Sequence, residues 1–332
     1  MNFQEPKQLS EMARKIEPYQ YQIIEKKFSN LLSSINDDSD RDKAVLRIHS
    51  YLHEGLSEER IFSMFTGQSF PLPHCLAFAS GKGGVGKSML SVNTAVFFSK
   101  IGKRVLLFDA DYGLSNAHIY LNFRTKKSLL DFFLSGDPED AVEKISSRLD
   151  YIHTGSGELK LVDMDEYEFT RIRKMLMTIA RRYDVIIMDC SPGIGKDVIQ
   201  TLLVGTQSIM VTTPQVSSIT DTYALIKVLC QARMHPRVNV VVNMARSVQE
   251  ADQAFQRISL CTERFLKLPV EYLGNLFYSS KISQSLNERT PVIEMYPLDT
   301  RSGARIIQLA QNLFSRIKKD TQKEVQRDVF NR

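Results

Sequence analysis

The sequence predicts an α/β fold: a mostly parallel sheet flanked by helices on both faces, with an added N-terminal helical segment. Two patterns and one motif predict it. From residue 74 onward, short apolar runs bounded by turn residues alternate with longer stretches of helical periodicity, as in strand–helix–strand units. The runs are apolar at successive positions, which suits strands covered on both faces. The first strand-to-helix junction holds Gly81-Lys82-Gly83-Gly84-Val85-Gly86-Lys87-Ser88, and its G-x-x-x-x-G-K-[ST] spacing is that of a phosphate-cradling loop. At 332 residues, 43% hydrophobic and 24% charged, the chain has room for one large α/β domain and an appendage.

Taken in order, residues 1–73 read as a helical extension or docking module, 74–318 as the α/β domain and 319–332 as a basic tail. Within the first, Ile23, Ile24, Phe28, Leu31, Leu32 and Ile35 make a helical stripe across 21–35. Residues 36–40 read as a loop and 43–53 as a second helix stopped by Gly55. Ser57 is placed to cap a third, with Glu58 and Glu59 in its first turn. Helix, glycine turn and capped helix also suit a helix-turn-helix. Nine basic against eleven acidic residues over 1–74 favour docking on a protein instead of DNA. Pro71 and Pro73 mark the linker.

Residues 76–79 read as the buried strand that feeds the glycine-rich loop, and 89–101 as the helix that leaves it. The glycines let backbone N–H groups turn inward toward phosphate oxygens, and the helix brings its positive end to the same anion. Gly81, Lys82, Gly83, Gly84, Val85, Gly86, Lys87, Ser88 and Met89 form the nucleotide-binding set. Lys87 would neutralise the β- and γ-phosphates and Ser88 would offer its hydroxyl to Mg²⁺. Lys82 reads either as a solvated loop lysine or as a second functional cation.

The strand 105–108 runs into Asp109-Ala110-Asp111-Tyr112-Gly113. Carboxylates at the C-terminal end of such a strand face the crevice where the loop holds phosphate. One suits the metal's water shell and the other an attacking water; capping the next helix is the structural alternative. Tyr151-Ile152-His153 is a further strand and 166–182 a helix. Residues 184–189 form a buried strand ending in Asp189, the Walker B pattern, and 190–195 a loop able to register a γ-phosphate. Cys190 reads as a small buried hydrophobe or as a redox handle. After the strand 209–214, Thr220 or Asp221 would cap a helix. Asn243 ends the strand 238–242, where its amide suits a purine edge or a turn. Ile306, Leu309, Ala310, Leu313, Phe314 and Ile317 stripe a last helix packed on the core.

The double-lysine form K-G-G-x-G-K-S, with Lys82 ahead of Lys87, resembles the deviant Walker A of the MinD/ParA family of P-loop ATPases. The run T-T-P-x-x-x-S-I-T-D-x-Y-A-L-I-K over 212–227 resembles the FlhG (FleN, YlxH) branch, which sets flagellar number and placement. The resemblance spans 74–318. It implies ATP and Mg²⁺ as cofactors, slow hydrolysis and an ATP-dependent homodimer in which Lys82 acts in trans on the partner copy's ATP. It further implies catalytic roles for Lys82, Lys87 and Asp111, metal roles for Ser88, Asp109 and Asp189, and an adenine contact for Asn243. By resemblance the partners are an FlhF-like GTPase, flagellar C-ring proteins and a flagellar transcription regulator.

Two stretches depart from that branch. Gly274-Asn275-Leu276-Phe277-Tyr278-Ser279 stands where relatives carry Pro-x-Asp, so the adenine-side loop is expected to differ. Residues 1–18 hold Gln8-Leu9-Ser10-Glu11-Met12-Ala13-Arg14 in place of the GTPase-stimulating D-Q-A-x-x-L-R.

The net charge of +5 is concentrated at one end, with eight lysines and arginines against three acids over 301–332. A basic tail meets anionic lipid, nucleic acid or an acidic protein. Its apolar residues, Val325, Val329 and Phe330, make a weak lipid face. The expected location is cytoplasmic, with weak peripheral contact at the inner face of the cell membrane. DNA contact belongs to the alternative of a ParA-type partitioning ATPase, and a MinD-like division regulator is its companion. Cys75, Cys190, Cys230 and Cys261 lie far apart, against a disulfide framework, a zinc site or an iron–sulfur carrier. No apolar run reaches spanning length, and the polar start Met1-Asn2-Phe3-Gln4-Glu5 is no signal peptide.

Overall fold

Strands that are apolar on both faces have to be covered twice, and helices following the strands do the covering. The computed structural model describes residues 18–33, 35, 38–53, 61, 74–113, 115–155, 164–232 and 237–330. It forms two compact units, 1–72 with 231–236 and 73–230 with 237–332.

The smaller unit contains α1 (Pro18–Lys27), α2 (Ser29–Leu32) and α3 (Asp38–His53). Its own core is Ile24, Phe28, Leu31, Leu32, Ala44, Val45, Ile48, Leu52 and Ile61. The single helix expected over 21–35 is interrupted at Phe28, whose φ of −105° and ψ of 21° leave the helical basin. Asp38 to Asp40, expected in a loop, open α3 instead, since acids are stabilised at a helix N-terminus. Gly55, the Ser57 cap, Pro71, Pro73 and the 8–14 segment lie outside the described residues.

The larger unit carries β1 (His74–Ser80), α4 (Lys87–Lys100), β2 (Val105–Ala110), α5 (Ala117–Tyr120), α6 (Leu129–Ser135), β3 (Val142–Lys144), β4 (Leu149–His153) and α7 (Glu166–Ile179). It continues with β5 (Val185–Pro192), α8 (Lys196–Val204), β6 (Gln207–Thr212), α9 (Val216–Ala232), β7 (Val238–Ala245), α10 (Val248–Cys261), β8 (Glu271–Phe277), α11 (Ser280–Asn287), α12 (Val292–Met295) and α13 (Gly303–Phe330). The strands form one sheet in the order β3-β4-β2-β5-β1-β6-β7-β8. All pairings are parallel except the edge pair β3 and β4.

Leu76 and Phe78 of β1 join Val92, Ala95 and Phe98 of α4 and Ile306, Leu309 and Leu313 of α13 in one core. Cys75, Ala77 and Ala79 alternate to the opposite face and are buried too, where α8 packs on β1 and β5. β1 lies between β5 and β6. The chain leaves it toward β2 on one side and later brings β6 to the other. The C-terminal end of β1 is therefore a divergence of connections, the place where such sheets open a crevice for ligands.

α13 buries its expected stripe but does not stop at Lys318. Its backbone is helical to Phe330, because no glycine or proline interrupts 304–330. The expected 319–332 tail is thus helix over most of its length, with side chains from 318 outside the described residues. Among the described residues no helix is long and apolar enough to cross a membrane.

Candidate functional site

The glycine-rich loop leaves β1 at Ser80 and enters α4 at Lys87. Gly86 caps that helix with a φ of 89°, and a Cβ there would collide with the Asn243 amide. Both demands select glycine. Gly81 is pressed against the backbone of Asp221 on α9, with no room for a Cβ, whereas Gly83 and Gly84 face open space. The loop is thus braced from behind and open in front.

Asn243 supplies part of the brace. Its Nδ2 donates to the Val85 carbonyl at 2.7 Å and its Oδ1 accepts from the Met244 amide at 2.8 Å. One N–H and one lone pair remain for another partner. β5 runs past Asp189 to Pro192, paired with β1 and β2 beyond the expected strand end, so the loop expected over 190–195 shortens to Gly193–Gly195. The Gly193 amide donates to the Ser80 carbonyl at 2.9 Å, which ties that segment to the same element.

The loop opens on a cavity of about 320 Å³, in the range of about 300–1,000 Å³ usual for small-ligand sites. Gly83, Gly84, Val85, Gly86, Lys87, Ser88, Met89, Asp111 and Asn243 line it, as do Tyr120, Phe277, Tyr278 and Ile282. Gly81, Lys82, Asp109 and Asp189 stand outside it. A phosphate chain fits the open glycine side, and the hydroxyl and carboxylate donors at hand are hard oxygens that suit Mg²⁺.

Phe277 and Tyr278 were expected in a loop that departs from relatives. Instead Gly274 to Phe277 complete β8, and the aromatic pair becomes the apolar wall. Arg305 stacks 4.1 Å from the Phe277 ring centroid. Tyr120 was not anticipated; an aromatic three residues into a four-residue helix gives no periodic signal.

Within this frame the charges are already paired. Lys87 Nζ lies 2.6 Å from Asp189 Oδ1, with 6% and 1% of the two side chains exposed. Burial by itself would push the ammonium down, but the Asp189 charge and hydrogen bond outweigh it and the net direction is up. Lys82 turns away from its own cavity and donates to Gln215 Oε1 at 3.0 Å and Ser217 Oγ at 3.1 Å. Asp111 Oδ1 accepts from the Gly113 amide at 3.3 Å. Helix α9 begins at Val216, so Thr220 and Asp221 fall past its first turn and do not cap it. Thr220 bonds back to the Val216 carbonyl, and Ser218 Oγ receives the Thr213 amide.

Asp109 is fully buried. It sits in register with Asp189 on one side and His153 on the other. Its Oδ2 accepts from the Ala117 amide at 2.9 Å and the Tyr151 hydroxyl at 3.0 Å. Burial, then the Asp189 charge, push its carboxyl up to about 6. Burial, then the His118 charge, hold the His153 imidazole down at about 4, and burial lowers His118 as well.

The two shifts have opposite consequences for stability. Stability tied to the neutral His153 is present above about 6.5 and lost as pH falls through about 4. Stability tied to the protonated Asp109 is present below its ordinary value and lost as pH rises through about 6. His153→Gln is therefore expected to flatten the loss of thermal stability between pH 6.5 and 4 relative to the unaltered protein. Melting profiles that run parallel across this window would contradict the assignment.

A ParA family model, described as an iron-transfer P-loop NTPase of the NUBPL type, matches residues 72–314. The antiactivator FleN of Pseudomonas aeruginosa is 31% identical over 231 residues, 69% of this chain and 82% of that protein. The flagellum site-determining protein YlxH of Helicobacter pylori is 31% identical over 249 residues, 73% of this chain and 82% of its own. The solved structure of the septum site-determining protein MinD of Pyrococcus horikoshii, complexed with Mg-ADP, is similar in fold. It has a TM-score of 0.62 and 22% identity, and covers 73% of this chain and 96% of its own.

Proposed function

This chain belongs to the ParA family of P-loop NTPases and is an ATPase that works with ATP and Mg²⁺; from that premise we propose that it is a nucleotide-driven dimerisation switch acting on flagellar number or placement. The observation that carries the proposal is the direction of Lys82. The early lysine of the signature is docked on Gln215 and Ser217, while Lys87, Ser88 and Asp111 line the cavity. A cation outside its own pocket is available to the pocket of a second copy.

In the proposed cycle, loop amides and Lys87 hold the β- and γ-phosphates, with Lys87 exchanging Asp189 for phosphate. Ser88 and the freed Asp189 would hold Mg²⁺, with Asp109 behind them, and the ion would supply charge neutralisation on the phosphates. Asp111 orients the attacking water, and Asn243 offers its remaining donor and acceptor to the base. Lys82 exchanges Gln215 and Ser217 for the partner copy's nucleotide. Hydrolysis then returns each lysine to its own chain, which gives a timer with slow turnover.

The flagellar reading is supported by the names of the two relatives, an antiactivator and a flagellum site-determining protein. Under it the partners are an FlhF-like GTPase, C-ring proteins or a flagellar transcription regulator. A ParA-type partitioning role draws on the basic C-terminal segment. Part of that charge is spent internally, since Arg305 stacks on Phe277 and Arg316 pairs with Glu271 at 2.8 Å.

Light scattering of the full chain is expected to report a dimer with a slowly hydrolysed ATP analogue, a monomer with ADP, and a monomer for Lys82→Ala in both. An analogue-bound Lys82→Ala dimer as tight as the unaltered one would remove the switch. For the biological arm, cells lacking the chain should show altered flagellar counts or positions by electron microscopy. Normal flagella with lost chromosomes or plasmids would redirect the function to partitioning.

A further inference from the structure

We propose that Asp109, His118 and His153 form a site for a divalent transition metal, Zn²⁺ being the reference ion, separate from the Mg²⁺ of the nucleotide. One ligand atom from each of the three lies within 4.8 Å of the others. They come from three elements: Asp109 is the penultimate residue of β2, His118 lies in α5, and His153 ends β4 directly opposite Asp109 in the ladder. The two imidazole rings meet edge to face with centroids 5.1 Å apart.

Two further observations single this cluster out from an ordinary buried polar network. His153 Nδ1 is 2.7 Å from Ser115 Oγ, which fixes the ring and leaves Nε2 as the ligand atom. Holding the second ring nitrogen on an oxygen is how metal-binding histidines are usually oriented. His118 Nδ1 is buried and has no hydrogen-bond partner among the described residues, which leaves it open to a ligand interaction. Asp109 is aimed by the Ala117 amide and the Tyr151 hydroxyl. Two imidazoles and one carboxylate suit zinc and its neighbours, whereas Mg²⁺ takes oxygen ligands.

The site would report to the nucleotide pocket through the backbone. Asp111 lies between Asp109 and His118 in sequence, and Asp109 is the ladder neighbour of Asp189 on its other side. A metal that clamps β2, α5 and β4 together would immobilise the segment carrying Asp111. The binding claim itself does not depend on the switch reading above, because it is tested without nucleotide.

Titration of the metal-free full chain with Zn²⁺ by calorimetry is expected to give one site per chain, a raised melting temperature, and no displacement by excess Mg²⁺. His118→Gln and His153→Gln should each weaken binding at least about 100-fold, and Ser115→Ala about 10- to 100-fold as a positioning residue. Co²⁺ should give visible ligand-field bands without the intense thiolate-to-metal band. This readout uses the unaltered protein and holds even if a histidine variant fails to fold. Absence of a stoichiometric Zn²⁺ site, Zn²⁺ binding unchanged in both folded histidine variants, or a thiolate band showing capture by cysteine would each overturn the proposal. If the metal binds as stated, ATP hydrolysis should fall at saturating Zn²⁺ and be restored in His153→Gln.

Discussion

Lys87→Met is expected to cost the nucleotide-free protein on the order of 3–5 kcal/mol and to abolish ATP binding. The cost follows from what is left behind. Asp189 is 1% exposed and has Lys87 as its cationic partner at 2.6 Å. On its other side stands Asp109, equally buried, its carboxyl already pushed up by that burial and then by the Asp189 charge. Removing the ammonium leaves two carboxylates facing each other across neighbouring strands, with no solvent to spread the charge.

Urea denaturation checks the stability, and calorimetry with ATP checks binding. The double variant Lys87→Met/Asp189→Asn should recover most of the stability and none of the binding, which separates a structural from a nucleotide-binding role. A single variant as stable as the unaltered protein would show that the pair contributes little to the fold.

Asp111→Ala should reduce ATP hydrolysis by about 10²- to 10⁴-fold, the span typical of losing one positioned general base, while leaving ATP binding in place. Asp111 reaches the cavity, accepts from the Gly113 amide and is only partly buried, so the fold should survive its removal. With hydrolysis slowed and the nucleotide retained, the dimer should persist with ATP itself, without an analogue. Phosphate release and light scattering on the same sample test both halves. A variant that hydrolyses ATP at the original rate would move the catalytic role elsewhere, and one that stays monomeric with ATP would sink the switch.

The sheet was legible wherever apolar runs were continuous. Strands β1, β2, β4, β5, β6 and β7 fall where the sequence places them, with ends shifted by a few residues. The three-residue strand β3 and the four-residue helices α5 and α12 were not, since so few residues show no period. The interruption at Phe28 and the early start of α3 are local competitions between propensity and packing that a hydrophobic stripe does not report.

The phosphate loop was readable because its chemistry is local: spacing of glycines, one lysine and one serine, set between a strand and a helix. By itself the sequence determined the α/β class, that loop, the acids carried by β2 and β5, and the apolar face of α13. Each depends on residues within a few positions of one another.

Only the tertiary structure decided how those parts meet. Asn243 braces Val85 across 158 positions, Lys82 finds Gln215 across 133, and Ser115 reaches His153 across 38. The order of strands in the sheet sets all three juxtapositions, and it is fixed by burying both faces at once. A property of the whole chain's packing leaves no mark in the spacing of any one segment.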